Sequence, residues 1–164
     1  QAQLLDENLT IYETIDRVAT GDMRLRINDL LGAFMFGGET SEKYVKVLSG
    51  GERSRIWLAM LLAQESQFLL LDEPLAALDI AHQVEVMQLV HRLSRELNLG
   101  VIIVIHDINL ASRFCDHLVA LHSGKLLAQG NAFDIVNTPS LRQIYGITLN
   151  VIDHPETHRP VSFY

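Results

Sequence analysis

Asp72 and Glu73 stand side by side at the end of the apolar run Phe68-Leu69-Leu70-Leu71, just before Pro74. A carboxylate in that place can hold a hydrated Mg2+, and its neighbour can polarise a water for attack on a phosphoryl group; the same pair also suits a solvated turn. Upstream, Leu48-Ser49-Gly50-Gly51-Glu52 sets a hydroxyl and two glycines ahead of a helical pattern. Backbone N–H groups and the positive end of the helix then converge on whatever lies in front, which suits an anion such as phosphate, although taken alone the pattern reads first as a plain glycine-containing N-cap. His106 follows a second apolar run, Val101–Ile105, where an imidazole can hydrogen-bond a terminal phosphate oxygen or orient a water. The other histidines, His82, His91, His117, His122, His154 and His158, fall on helix faces, a hairpin or the polar tail and read as structural. Trp57 and Met60 follow helical spacing and read as core or subunit contacts.

Phe68–Leu71 is too short for a lone buried helix and stops at two carboxylates, which predicts a fully buried strand. Val101–Ile105 predicts a second, after a helical pattern near Ala81–Leu97 and a stop at Gly100. Two such runs joined by a helix mark a βαβ unit in a parallel sheet, and the C-terminal ends of its strands are where α/β folds place ligands. Ahead of them, Asn8–Gly38 is mainly helical, with Ile11, Ile15 and Val18 on one stripe and Ile27, Leu30, Leu31 and Phe34 on another. Leu48–Glu52 opens a helix from about Arg53 to Ala63. Downstream the pattern predicts a helix near Leu110–Cys115, a hairpin of His117–Leu121 and Lys125–Gln129, helices near Ala132–Asn137 and Ser140–Tyr145, and weak strands at Thr148–Ile152 and Val161–Tyr164.

The chain has 164 residues, 48% of them hydrophobic, which suits one domain with an ample core and excludes disorder as the main state. Its 20 acidic against 13 basic residues leave a net charge of −7, so the basic footprint of a nucleic-acid binder is missing. Cys115 is the single cysteine and cannot form an internal disulfide; no Cys/His spacing matches a zinc site, and a reducing cytoplasm fits. No signal-peptide pattern opens the chain, and no uncharged apolar run approaches the ~20 residues of a membrane span, which predicts a soluble protein. The first residue is not methionine, which predicts a start partway into a gene.

The series Leu48–Glu52, a helix, four apolar residues, Asp72-Glu73-Pro74, Leu78-Asp79, a helix, an apolar strand and His106 resembles the second half of an ABC-type nucleotide-binding domain, over about Val47–Gly130. The resemblance implies an α/β fold, the C-terminal half of a P-loop nucleotide-binding core with a helical subdomain at its N-terminus. Domains then divide into a helical subdomain at 1–47, an ATPase core at 48–130 and an accessory tail at 131–164. Roles are implied residue by residue. Leu48, Ser49, Gly50, Gly51 and Glu52 would be the signature motif that closes on ATP in trans. Leu69–Asp72 would be the Walker B strand with Asp72 organising Mg2+, Glu73 the catalytic glutamate, Leu78-Asp79 the D-loop, and His106 the switch histidine that senses the γ-phosphate. Leu75-Ala76 departs from the Thr-Ser usual before the D-loop.

The phosphate-cradling pattern G-x-x-x-x-G-K-[S/T] does not occur: Gly124-Lys125 is followed by Leu126, and Val119 stands where the first glycine would be. In the resembled family two domains pack head to tail, each signature facing phosphates on the other's P-loop. The resemblance therefore implies half of a composite site, a second nucleotide-binding domain as partner, and a fragment whose P-loop part is absent. Gln1 and Gln3 lie near the place of the Q-loop glutamine. A finer resemblance divides the chain. From Ile56 on, stretches such as WLAMLLAQ, ALDIAHQVEVMQLVHRLS, QIYGI and PVSFY are similar to the ATPase subunit of ferric-siderophore importers of the ferrichrome type. Before Arg55, LLDENLTIYETIDRVATGD, LLGAFMFGG and KVLSGGERSR are similar to ABC-F proteins, soluble ATPases that act on ribosomes. The importer resemblance implies an ATP-hydrolysing subunit that uses ATP and Mg2+, sits on the inner face of the cell membrane against transmembrane permease subunits, and touches no nucleic acid. The ABC-F resemblance implies a ribosome-bound factor instead, and an inactive hybrid of the two is a third expectation.

Overall fold

A computed structural model describes residues 5–76 and 78–164, so Gln1 and Gln3 lie outside the described residues. The chain divides into two compact units, Gln1–Val104 and Ile105–Tyr164.

In the first unit α1 spans Ile11–Asp16 and α2 spans Ile27–Ala33, with 3-10 turns at Gly21–Arg26, Gly38–Glu42 and Val45–Val47. Thr10 starts α1 through a reciprocal cap: its hydroxyl accepts from the Glu13 amide at 3.1 Å, and Glu13 Oε2 accepts from the Thr10 amide at 2.8 Å. Helix α3, Gly50–Leu62, packs against α1, and both bury one apolar stripe: Ile11 and Ile15 on α1, Ile56, Ala59 and Leu62 on α3. Ile27, Leu31, Phe34, Phe36 and Val45 close the same core. The helix begins ahead of the predicted Arg53 because Ser49 is its cap, which takes both glycines into the first turn.

Strand β1, Phe68–Asp72, leads into α4, Ile80–Glu96, and then β2, Gly100–Val104, which runs parallel to β1 with Phe68 opposite Gly100 and Asp72 opposite Val104. This is the expected βαβ unit. One expectation fails: the strands are not fully buried. Leu71 has no exposure, yet Phe68 and Leu70 are 73% and 71% exposed and Ile102 63%. A continuous apolar run suits a strand covered on both faces; here period-two alternation turns Leu69 and Leu71 inward, and the opposite face meets solvent. Gly100 has no Cβ, and the Phe68 ring occupies the space one would need.

The second unit holds α5 (Ile108–Phe114), a hairpin of β3 (Leu118–His122) and β4 (Lys125–Gly130), α6 (Ala132–Ile135), α7 (Thr138–Tyr145), and a second hairpin of β5 (Asn150–Asp153) and β6 (Pro160–Phe163). Its core gathers Ala111, Leu118, Ala132, Ile135, Val136, Leu141 and Leu149. The two weak strand candidates thus pair with each other. Asn109 fastens β6 to α5, donating from Nδ2 to the Ser162 carbonyl at 3.0 Å and accepting from the Ser162 amide at 2.8 Å. No helix among the described residues is long and apolar enough to cross a membrane.

Candidate functional site

Ser49 has extended backbone (φ −64°, ψ 164°), and its Oγ accepts from the Glu52 amide at 3.3 Å while Glu52 Oε2 accepts from the Ser49 amide at 2.8 Å. That hydrogen bond from the Ser49 amide holds the Glu52 carboxyl below its ordinary range. The plain N-cap reading of Ser49 is therefore part of the structure. The box satisfies the Ser49 and Glu52 amides and leaves those of Gly50 and Gly51 as the orphan donors of the helix end. Leu48 is buried just before the cap. Arg53 braces the approach, donating to the Leu48 carbonyl at 3.3 Å and the Lys46 carbonyl at 3.4 Å and pairing with Glu7 at 3.0 Å.

Asp72 closes β1, and the Glu73 amide extends the ladder by donating to the Val104 carbonyl at 3.1 Å. Glu73 has φ +46°, a left-handed backbone that costs a residue with a Cβ about 1–2 kcal/mol. Both carboxylates are exposed. Beyond them the chain turns on buried Pro74 and Leu75, so the departure from Thr-Ser replaces a hydroxyl at Leu75 by core packing. Gln83, one turn into α4, pins this turn by donating from Nε2 to the carbonyls of Leu75 (3.2 Å) and Leu78 (3.0 Å).

Asp79 is the N-cap of α4: its Oδ1 accepts from the His82 amide at 3.0 Å, and its Oδ2 lies 2.8 Å from His82 Nδ1. The His82 amide first, and then the ring, hold the Asp79 carboxyl below its ordinary value. The same imidazole lies against Gly51 so closely that a Cβ there would fall on the ring, 2.7 Å from Nε2 and 2.9 Å from Cγ. The first unit therefore joins the predicted signature and D-loop segments through a residue that the sequence reading placed among structural histidines. Its sequence signal is position three after a capping Asp. Gln83 was missed in the same way. His106 belongs to the second unit, exposed, just before the Asp107 cap of α5.

Residues 1–76 match the family model described as ABC transporter. Over 123 residues the chain is 42% identical to the iron(3+)-hydroxamate import ATP-binding protein FhuC of Bacillus subtilis (strain 168), a match covering 75% of this chain and 46% of that protein. The chain belongs to the ABC transporter family. A second ABC relative, the ferric enterobactin transport ATP-binding protein FepC of Escherichia coli (strain K12), is 43% identical over 121 residues, 74% of this chain and 45% of its own length. The chain thus spans about half the length of the ABC relatives it matches. Among solved structures it superposes on a metal-chelate type ABC transporter in an inward-facing conformation with a TM-score of 0.80 at 20% identity, covering 95% of this chain and 67% of that one. At that identity the likeness concerns the fold, which is the α/β nucleotide-binding fold of ABC proteins.

Proposed function

We propose that this chain is the signature-bearing part of the ATP-hydrolysing subunit of an ABC importer for iron chelates, acting from the inner face of the membrane on transmembrane permease subunits. The observation that carries the reading is that the first unit sets a capped glycine helix start against the start of α4, the helix that follows a strand end bearing adjacent carboxylates, in a chain about 40% identical to siderophore-import subunits. The match to the Bacillus subtilis protein is longer than the stretch Ile56–Tyr164, so importer likeness reaches upstream of Arg55. That favours transport over a ribosomal role.

Among the described residues no group of three or more His, Cys, Asp or Glu gathers to hold a metal by itself. The pair at the end of β1 still fits Mg2+, which takes one or two carboxylates and completes its shell with water and substrate phosphate oxygens. Asp72 would hold the ion, whose contribution when bound is to neutralise charge on the phosphates. Glu73 would accept a proton from the attacking water. His106 donates a hydrogen bond to the terminal phosphate. The Gly50 and Gly51 amides and the Ser49 hydroxyl face the phosphates of ATP held on a second domain's P-loop, and a helix start is suited to that charge. Asp79 faces the same partner domain.

The test mixes the purified chain with an intact importer ATP-binding subunit that carries its own P-loop and a Glu→Gln change at its catalytic glutamate. Sedimentation should show association that requires Mg-ATP and disappears with Gly50→Asp, which places a carboxylate against the phosphates. Association that ignores nucleotide, or that survives Gly50→Asp unchanged, overturns the reading. Alone, the chain should release phosphate from ATP at background, with no difference between it and its Glu73→Gln variant.

A further inference from the structure

The two glycines that open α3 differ in what surrounds them. A Cβ at Gly50 would meet nothing within 4 Å, whereas one at Gly51 would strike the His82 imidazole. Packing within this chain thus demands a glycine at only one of the two places, and the residue that demands it is His82. That side chain is in turn fixed by Asp79: backbone amide to Oδ1 at 3.0 Å and ring Nδ1 to Oδ2 at 2.8 Å, two bonds to one carboxylate. The Asp79 side chain remains 66% exposed, so its orientation is set while its remaining lone pairs face outward. One ring therefore touches the starts of two helices, α3 and α4, and each start is a segment that the proposed function aims at nucleotide or at the partner domain.

We propose that His82 is a positioning residue that links the Asp79 carboxylate to Gly51, so that a displacement at either helix start is felt at the other. The link has two separable ends. The hydrogen bond to Asp79 fixes the ring, and the ring edge fixes how closely α3 can approach α4. A partner that engages Asp79 biases the presentation of the Gly50 and Gly51 amides, and by the reciprocity of linkage a phosphate drawn to those amides biases Asp79. The functional half of this inference rests on the reading of both segments as partner-facing; the link itself does not.

Nuclear magnetic resonance on the chain tests the link without nucleotide. The Gly51 Hα and amide signals, which lie in the ring current of His82, should move on Asp79→Asn although Asp79 has no contact with Gly51 in the structure's hydrogen-bond scheme. In a His82→Ala background the same Asp79→Asn change should leave them where they are. Gly51 signals that ignore Asp79→Asn in the wild type, or that respond equally with and without His82, overturn the proposal. The association assay with a P-loop-bearing subunit and Mg-ATP then reads its consequence. His82→Asn keeps a donor for Asp79 and loses the ring; His82→Phe keeps the ring and loses the donor. Each breaks one end and each should weaken association, His82→Phe by about threefold to tenfold, the factor one intramolecular hydrogen bond supplies, and His82→Asn through loss of the ring contact at Gly51. Wild-type affinity in either variant counts against the link. If the unsubstituted chain fails to associate at all, the proposed function falls, and the resonance measurement alone decides the positioning role.

Discussion

Replacing Gly51 by alanine sets two effects of opposite sign against each other. Gly51 lies in the first turn of α3, and an alanine within a helix gains about 0.5 kcal/mol over glycine near a terminus. The new methyl, however, needs the space of the His82 ring, whose atoms lie 2.7 and 2.9 Å from the Cβ position at Nε2 and Cγ. The ring is partly exposed and must turn off its rotamer to make room, a distortion that costs about 1 kcal/mol. Gly51→Ala alone should therefore destabilise the chain by about 0.5 kcal/mol. With His82→Ala already made, the obstacle is gone, and Gly51→Ala should stabilise by about 0.5 kcal/mol. The double-mutant cycle then gives a coupling of about 1 kcal/mol, above the ~0.5 kcal/mol expected of independent sites. Urea titration followed by circular dichroism resolves it, since a slope of about 2 kcal/mol/M turns the coupling into a midpoint difference near ~0.5 M. A coupling below ~0.3 kcal/mol, with alanine stabilising in both backgrounds, would refute the ring contact as the reason for glycine.

Glu73→Gly should stabilise the chain by about 0.5 kcal/mol, because relief of a left-handed backbone worth about 1–2 kcal/mol outweighs the added freedom of glycine in the unfolded chain; thermal melting checks the sign. Leu71→Ala should cost about 2–4 kcal/mol and Leu70→Thr less than about 1 kcal/mol, since only Leu71 is inside; equal losses in urea titrations would contradict the strand's orientation. The Glu52 carboxyl is lowered in the folded chain, so its contribution is present above the ordinary glutamate range and is lost as pH falls through the lowered folded value. Acid titration of Glu52→Gln should accordingly show a shallower stability loss below pH ~5 than the wild type, and parallel curves would contradict the capping box.

How far the sequence could be read depended on whether neighbours along the chain or neighbours in space decide the matter. Phe68–Leu71 and Val101–Ile105 announce parallel strands because a β-rich run bounded by Asp72 or Gly100 leaves little else to form. Ser49 with Glu52 three residues on carries its own capping box, although the first glycine-tolerant turn hid where α3 begins. The exposure of Phe68 and Leu70 was not legible, since an apolar run looks the same whether one face or both are covered. Nor was the role of His82, which depends on α3 and α4 meeting at Gly51, a contact between residues far apart in sequence. The positive φ of Glu73 follows from a strand leaving its ladder at a turn pinned by Gln83, and no side-chain type in Asp72-Glu73-Pro74 foretells it.

The solvent-facing side of β1 and β2 bears on how the chain behaves at high concentration. Phe68, Leu70, Ile102 and Val104 form an apolar strip on a two-stranded sheet whose outer backbone edges invite further pairing. Against that works the mutual repulsion of molecules carrying a net charge of −7. Salt shifts the balance twice in one direction: it screens the repulsion, and sulfate or phosphate additionally strengthens apolar association. Turbidity should therefore set in at lower protein concentration in sulfate than in chloride of equal ionic strength, and dilute buffer is the medium in which the chain keeps to itself.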